Sequence, residues 1–184
     1  MGIQNNALQI ADELRSLLSQ LDDIQGQHLC QMTQQAAQVF VAGAGRSGFM
    51  MRAFANRLMH LGFKAHVVGE TTTPHGSAHD LLIIGSGSGA TSSLVQLAHK
   101  ARAIGVKLAL LTTAPQSPIG QMADLVLQLP APSSKVEHSF SSVQPMASLF
   151  EQSLLITLDA LVMELMVQTQ QSAQMMYARH ANLE

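Results

Sequence analysis

The chain has 184 residues, of which 47% are apolar and only 12% are charged, and its formal net charge is −2. The length suits one domain with a full core, and the lack of a basic tract argues against a general nucleic-acid-binding protein. The single cysteine, Cys30, excludes an internal disulfide and a cysteine-based metal site, so we expect it to pack between helices. With no signal pattern and no apolar run long enough to span a bilayer, the expected compartment is the cytoplasm.

Apolar periodicity divides the chain into alternating strands and helices. Strands buried on both faces are rich in apolar residues, and five short, mainly apolar runs predict such strands, at 39–42, 65–68, 81–84, 107–111 and 125–129. Helical spacing predicts helices at 3–21, 24–37, 49–60, 94–104, 117–122 and 145–168, followed by a tail over 170–184 that extends the last helix or is irregular. The alternation predicts a single α/β domain over 1–184, in which right-handed crossovers build a parallel sheet with helices on both faces.

The first and last helices carry apolar faces wider than contact with one sheet requires. Together with the low charge content, these faces indicate that copies of the chain cover part of each other's surface. We therefore expect a homo-oligomer, at least a dimer, with segments 3–37 and 145–184 in its interfaces.

The turn at 85–91 leads from an apolar strand into a helix. Glycine lets backbone N–H groups approach a ligand, a helix N-terminus adds partial positive charge, and hydroxyls donate to several oxygens. The pattern matches neither a P-loop nor G-x-G-x-x-G. It predicts a cradle for one dianionic phosphate, and the alternative is a flexible glycine–serine hinge. The predicted phosphate-binding residues of this turn are Ser86, Gly87, Ser88, Gly89 and Thr91.

A second glycine-rich turn, at 43–48, follows the first predicted strand. Its candidate binding residues are Gly45, Arg46 and Ser47; Ser47 either contacts an anion or simply caps the next helix, and Arg46 pairs with phosphate or with an acidic neighbour. Ligands of parallel sheets bind beyond the carboxyl ends of the strands. The two turns therefore predict one shared anion site.

Two glutamates and two histidines are candidates for acid–base chemistry. Glu151 lies about one turn into the last predicted helix, where a carboxylate is favoured by the helix dipole or serves as a general base at the mouth of the sheet. Glu70 follows a strand and is the competing carboxylate. His60 ends a predicted helix, and His180 lies in a tail that composition alone makes an ordinary terminus. No set of residues has convincing metal-ligand spacing, so no metal or cofactor is expected.

Several motifs together resemble those of the 6-phospho-3-hexuloisomerase family. They include Gly43-Ala44-Gly45-Arg46-Ser47-Gly48 and the terminal Arg179-His180-Ala181-Asn182-Leu183-Glu184, with the stretches 54–63, 68–74, 84–89, 144–146 and 149–151. The resemblance covers most of the chain from residue 39 onward, and the terminal motif is especially specific. The glycine turn alone resembles only sugar isomerase (SIS) domains in general. The stretches 75–79 and 135–142 depart from the family pattern. The resemblance therefore supports the type of reaction more strongly than the identity of the substrate.

The resemblance implies a flavodoxin-like SIS fold, a three-layer sandwich around a five-stranded parallel sheet, usually in a homotetramer. It implies isomerisation of 3-hexulose 6-phosphate to fructose 6-phosphate in the ribulose monophosphate route of formaldehyde fixation. The phosphate-binding residues would be Ser47, Ser86, Ser88 and Thr91. The family's base maps to Glu151, and histidines proposed to assist it map to His60 and His180.

Three other readings compete with this one. The first is an isomerase of a pentose or heptose phosphate. The second is a non-catalytic phosphosugar sensor, although nothing before residue 39 is basic or long enough for the DNA-binding module that such sensors carry. The third, a nucleotide-binding protein, lacks both a Walker loop and a ribose-binding acid.

Overall fold

The computed structural model describes residues 2–131 and 142–183. Its centre is a five-stranded, fully parallel sheet with the order β2-β1-β3-β4-β5. The strands are β1 (Val39–Gly43), β2 (Ala65–Val67), β3 (Leu81–Gly85), β4 (Lys107–Thr112) and β5 (Leu125–Gln128). The predicted α/β sandwich and its strand count are therefore confirmed. From β1, the chain adds β2 on one side and then β3, β4 and β5 on the other. Doubly wound sheets bind ligands at this point between β1 and β3, where the strand order reverses.

Helices cover both faces of the sheet and bury two hydrophobic clusters against it. They are α1 (Ile3–Leu18), α2 (Asp23–Gln35), α3 (Gly45–Leu61), α4 (Ser92–Ala103), α5 (Ser148–Gln168) and α6 (Ala173–Tyr177), with a 3₁₀ turn at Gly120–Met122. The larger cluster joins α1, α2, α3 and α5 to one face. The smaller one joins α4 to the other.

Helix α3 begins at Gly45, four residues before the predicted start at 49. Helical spacing did not predict this first turn of α3, because glycine and serine are weak helix formers. The turn forms through a close backbone contact, since a Cβ on Gly43 would lie 2.9 Å from the nitrogen of Gly48. At the other end Gly62 caps the helix with φ +95°.

Helix α5 packs mainly inside its own chain. Leu154, Leu158 and Leu165 are buried in the larger cluster, and Cys30 lies beside them with its sulfur 3.9 Å from the carbonyl oxygen of Leu161. Burial, and then the charge of Glu164, raise the pKa of the Cys30 thiol to about 11, in keeping with the packing role expected for it. The prediction that α5 lies in a subunit interface stays a prediction.

Within the described ranges 2–131 and 142–183, no helix combines the length and the apolar character needed to cross a bilayer. Of the divergent stretch 135–142, all but Ser142 lies outside the described residues. Ser142 and the two residues after it are held by Glu13 of α1, whose carboxylate accepts from Ser142 Oγ, the Val143 N–H and Gln144 Nε2, each at 2.8 Å. These bonds fix the approach to α5.

Candidate active site at three helix N-termini

The N-terminal ends of α3, α4 and α5 meet beyond the carboxyl ends of β1 and β3. They enclose a cavity of about 140 Å³. Its lining includes the predicted residues Ser47, Ser86, Gly87, Ser88, Thr91 and Glu151. Free N–H groups and partial positive charge at three helix N-termini favour an anion here. The two glycine-rich turns thus lie at one site.

Gly87 fixes the direction of the second turn. Its carbonyl oxygen accepts from Thr112 Oγ1 at 2.9 Å, Thr113 Oγ1 at 2.8 Å and the Thr113 N–H at 3.1 Å. In a trans peptide the C=O and N–H point in opposite directions, so the N–H of Ser88 points away from the end of β4. That N–H has no hydrogen-bond partner within the described part of the chain.

Sequence patterns did not identify Thr112 and Thr113 as residues of the site, because they are also typical of an ordinary turn after a strand. Both are buried, at 0% and 2% exposure. Two consecutive threonines at the carboxyl end of a central strand were the available signal. Their target, the carbonyl of Gly87, is visible only once β3 and β4 are paired.

Gly89 is the position in this turn where only glycine fits. Its φ is +56°, and a Cβ there would lie 1.9 Å from Ser117 Oγ. The Gly89 N–H donates to Ser86 Oγ at 3.2 Å, which leaves the hydroxyl proton of Ser86 able to donate elsewhere. These contacts argue against the flexible hinge.

The hydroxyls of Ser47 and Thr91 have no hydrogen-bond partner among residues 2–131 and 142–183. Ser47 is not the cap of α3, because the N-cap is Ala44 and Ser47 lies in the first helical turn. Thr91 is the N-cap of α4, yet its side chain makes no capping bond. Both hydroxyls can therefore donate to an oxyanion in the cavity.

Glu151 lies in the first turn of α5 with its side chain only 12% exposed. Its Oε2 is 2.8 Å from Nε of Arg46, whose side chain is 59% exposed. Of the two partners that the sequence left open for Arg46, the structure selects the acidic neighbour. Glu70, the competing carboxylate, lies elsewhere, where it pairs with Arg52 beside β2.

His60 and His180 stack on each other, but they lie away from this cavity. His60 is in the last turn of α3 and Arg46 is in the first, which separates them by roughly 20 Å at about 1.5 Å per residue. Within one chain, the structure therefore does not bring these histidines to Glu151, and their assistance to the base stays a prediction. A part in the chemistry would require a neighbouring copy.

No group of three or more histidine, cysteine, aspartate or glutamate side chains in the described ranges is arranged to hold a metal ion. The chemistry available at the cavity is that of one carboxylate, one guanidinium, several hydroxyls and backbone N–H groups. These groups can bind an anion, move a proton and stabilise a second negative charge.

Known proteins are similar to this chain in sequence and in architecture. The SIS domain pattern matches residues 32–156. The 3-hexulose-6-phosphate isomerase of Bacillus subtilis (strain 168) is 44% identical over 177 residues, which cover 96% of each protein. The protein of the same name from Mycobacterium gastri is 44% identical over 183 residues, which cover 99% of this chain and 92% of that protein.

A solved structure from Methanococcus jannaschii, described as inferring a molecular function of 3-hexulose-6-phosphate isomerase, is also similar. It has a TM-score of 0.85 and 34% identity, over 98% of this chain and 99% of that one. The chain belongs to the SIS domain family and, within it, to the family of the 3-hexulose-6-phosphate isomerases.

Proposed function

We propose that the protein is an isomerase that interconverts 3-hexulose 6-phosphate and fructose 6-phosphate. The observation that carries the proposal is the carboxylate of Glu151 on the wall of a cavity otherwise lined by hydroxyls and helix N-termini. A phosphate binder without chemistry would need the donors but not the carboxylate, which repels an anion. Two relatives that match over nearly the full chain, those of Bacillus subtilis and Mycobacterium gastri, carry the name of this reaction.

The phosphate occupies the inner part of the cavity in this proposal. Ser47, Ser86, Ser88 and Thr91 donate their hydroxyl protons to its oxygens, and the N–H of Ser88 donates as well. Charge-assisted hydrogen bonds of this kind contribute about 1.5–3 kcal/mol each. Anchoring the phosphate holds the sugar carbons against Glu151.

Moving the carbonyl from C3 to C2 needs one base that touches carbon. Glu151 removes the proton from C2, the C–H electron pair forms a C2=C3 double bond, and the former carbonyl pair moves onto O3. The proton of O2–H passes to O3, Glu151 returns its proton to C3, and the charge on O2 collapses into the new carbonyl. This is general acid–base catalysis through an enediolate, and it consumes no further reactant.

The shape of the substrate limits what the site must do. A hemiketal at C3 that used O1 or O5 would be a four-membered ring, and the five-membered closure needs O6, which carries the phosphate. The 3-ketose is therefore open-chain, and no group is required to open a ring in that direction.

The proposal includes a homo-oligomer, with a tetramer as the expected form, in the cytoplasm and in formaldehyde fixation by the ribulose monophosphate route. Exposed apolar side chains at Leu8 on α1 and at Met163 and Val167 on α5 support contacts between copies. Sedimentation at micromolar concentration measures the state, and a monomer would contradict this part.

The activity is tested by supplying 3-hexulose 6-phosphate, arabinose 5-phosphate and sedoheptulose 7-phosphate in parallel assays. We expect kcat/KM to be highest for 3-hexulose 6-phosphate. A clear preference for either of the other two would replace the substrate while keeping the reaction type. Tight binding of all three without turnover would mean a phosphosugar sensor.

A further inference from the structure

Arg46 is the cationic side chain that contacts the proposed base, and its position differs from that of a phosphate ligand. It reaches Glu151 through Nε at 2.8 Å. The cavity is lined by its neighbours Ala44 and Ser47, but not by Arg46 itself, whose side chain is 59% exposed and contacts the lining residue Glu151 from outside the lining. Its two outer nitrogens, Nη1 and Nη2, have no partner within the described part of the chain.

We propose, building on the isomerase function above, that Arg46 is the electrophile of the reaction. In this role its outer N–H groups donate to O2 and O3 of the substrate, and the phosphate is left to the hydroxyls of the two turns. The sequence had made Arg46 a candidate binding residue, with phosphate or an acidic neighbour as its partner, and this assignment gives it a role in the chemistry instead.

Geometry supports the reassignment. The carboxylate oxygen that takes the C2 proton must touch C2, and O2 and O3 are bonded to C2 and to the adjacent carbon. A guanidinium within hydrogen-bond distance of that carboxylate is therefore within reach of both oxygens. Its planar fork can hold the carboxylate through Nε and the substrate oxygens through Nη.

The movement of charge supports it as well. When Glu151 takes the proton, its negative charge is replaced by one on O3, which then passes to O2. A fixed cation between these groups stabilises the charge in each position and exchanges no proton, because arginine stays protonated in proteins. The phosphate, by contrast, already has hydrogen-bond donors in the hydroxyls of the cavity and favourable charge from three helix N-termini, so it does not need Arg46.

The test compares Arg46→Gln with two reference variants. Arg52→Gln, on the same helix and also paired with a glutamate, removes the same charge away from the cavity. Ser88→Ala removes a proposed phosphate ligand. Each variant is assayed for kcat with 3-hexulose 6-phosphate, and for binding of glucitol 6-phosphate, which carries the phosphate but has no carbonyl.

We expect Arg46→Gln to lower kcat by about 10²–10³-fold, the usual effect of removing one oxyanion donor, with little change in glucitol 6-phosphate affinity. Ser88→Ala should show the opposite pattern, and Arg52→Gln should resemble the wild type. A loss of glucitol 6-phosphate affinity in Arg46→Gln with kcat retained would mean that Arg46 binds the phosphate. Wild-type values of both kcat and affinity would mean that Arg46 has no role in the site. An inactive wild-type protein would overturn the isomerase function and the electrophile with it, whereas an active wild type with an equally active Arg46→Gln would overturn only the electrophile.

Discussion

The imidazole ring of His180 lies stacked on that of His60, with the ring centroids 5.3 Å apart and the planes inclined by 16°. Next to this pair, Arg179 donates to the carbonyl oxygen of His60 at 3.0 Å and packs beside Gly62. The terminal segment is therefore fastened to the C-terminal end of α3, where a cation is favoured by the helix dipole.

Protonation of His60 should loosen this attachment. His60 is only 4% exposed, and burial, then the positive charges of Arg57 and His180, hold the pKa of His60 below its ordinary 6.5. The unfolded chain thus binds the proton more tightly, so this part of the stability is complete above about pH 6.5 and declines as the pH falls below it. We expect the Tm of the wild type to fall more on acidification from about pH 8 to pH 5 than that of His60→Phe. Equal slopes for the two proteins would contradict this.

Glu13 should make the fold sensitive to stronger acid. Burial acts to raise the pKa of Glu13, but the hydrogen bonds from Gln144, Val143 and Ser142 outweigh it, and the pKa lies below its ordinary 4.5. Its stabilising contribution is therefore present above about pH 4.5 and is lost as the pH falls through the lower, folded-state pKa. Glu13→Gln should have a lower Tm than the wild type at neutral pH, with the difference shrinking toward acid. Asp12→Asn, the same kind of change one residue earlier on α1, supplies the control; a constant difference at all pH values would exclude the carboxylate as the cause.

Thr113→Val should weaken phosphate binding through the backbone. The change removes one of the hydrogen bonds that hold the Gly87 carbonyl, worth about 1 kcal/mol, so KM should rise about fivefold with kcat little changed. Thr157→Val is the matched control, because the hydroxyl of Thr157 is buried on α5 without a partner among the described residues. If both variants had the same KM, the contact would not matter for binding.

Gly89→Ala should disrupt the same turn by steric overlap. A Cβ would lie 2.6 Å from Ser117 Cβ, which rotation of the serine hydroxyl cannot relieve. Gly69→Ala separates this clash from backbone strain, because Gly69 also has positive φ, at +96°, but open space around it. We expect Gly69→Ala to cost about 1 kcal/mol in unfolding free energy and to leave KM unchanged. Gly89→Ala should cost more and raise KM, and equal effects in the two variants would reject the clash.

Glu151→Gln should keep the fold and the binding of glucitol 6-phosphate while turnover falls by about 10²–10⁴-fold, the usual contribution of a positioned general base. It should also stop exchange of the C3 proton of fructose 6-phosphate with solvent deuterium, because that exchange reports the same proton transfer. Glu70→Gln is the comparison, since its carboxylate pairs with Arg52 away from the cavity. Exchange that persists in Glu151→Gln but stops in Glu70→Gln would mean that the other carboxylate is the base.

The sequence alone determined the order of the elements and the two turns that line the cavity. Buried strands and amphipathic helices are local patterns, so runs such as 81–84 and 107–111 predicted β3 and β4 to within a residue or two. The glycines and hydroxyls of 85–91 identified an anion site because their chemistry is set by residue type. For Glu151 the position in the helix left two roles open, a carboxylate favoured by the dipole or a general base, and the resemblance favoured the base.

The tertiary structure decided which groups meet. It paired Arg46 with Glu151 across more than a hundred residues of chain, and it turned Thr112 and Thr113 onto the carbonyl of Gly87. It also placed His60 and His180 at the far end of α3 from Glu151, because a helix of 17 residues holds its two ends roughly 25 Å apart at about 1.5 Å per residue. Residue type and spacing cannot give such relationships, since they depend on how strands pair and where each helix begins.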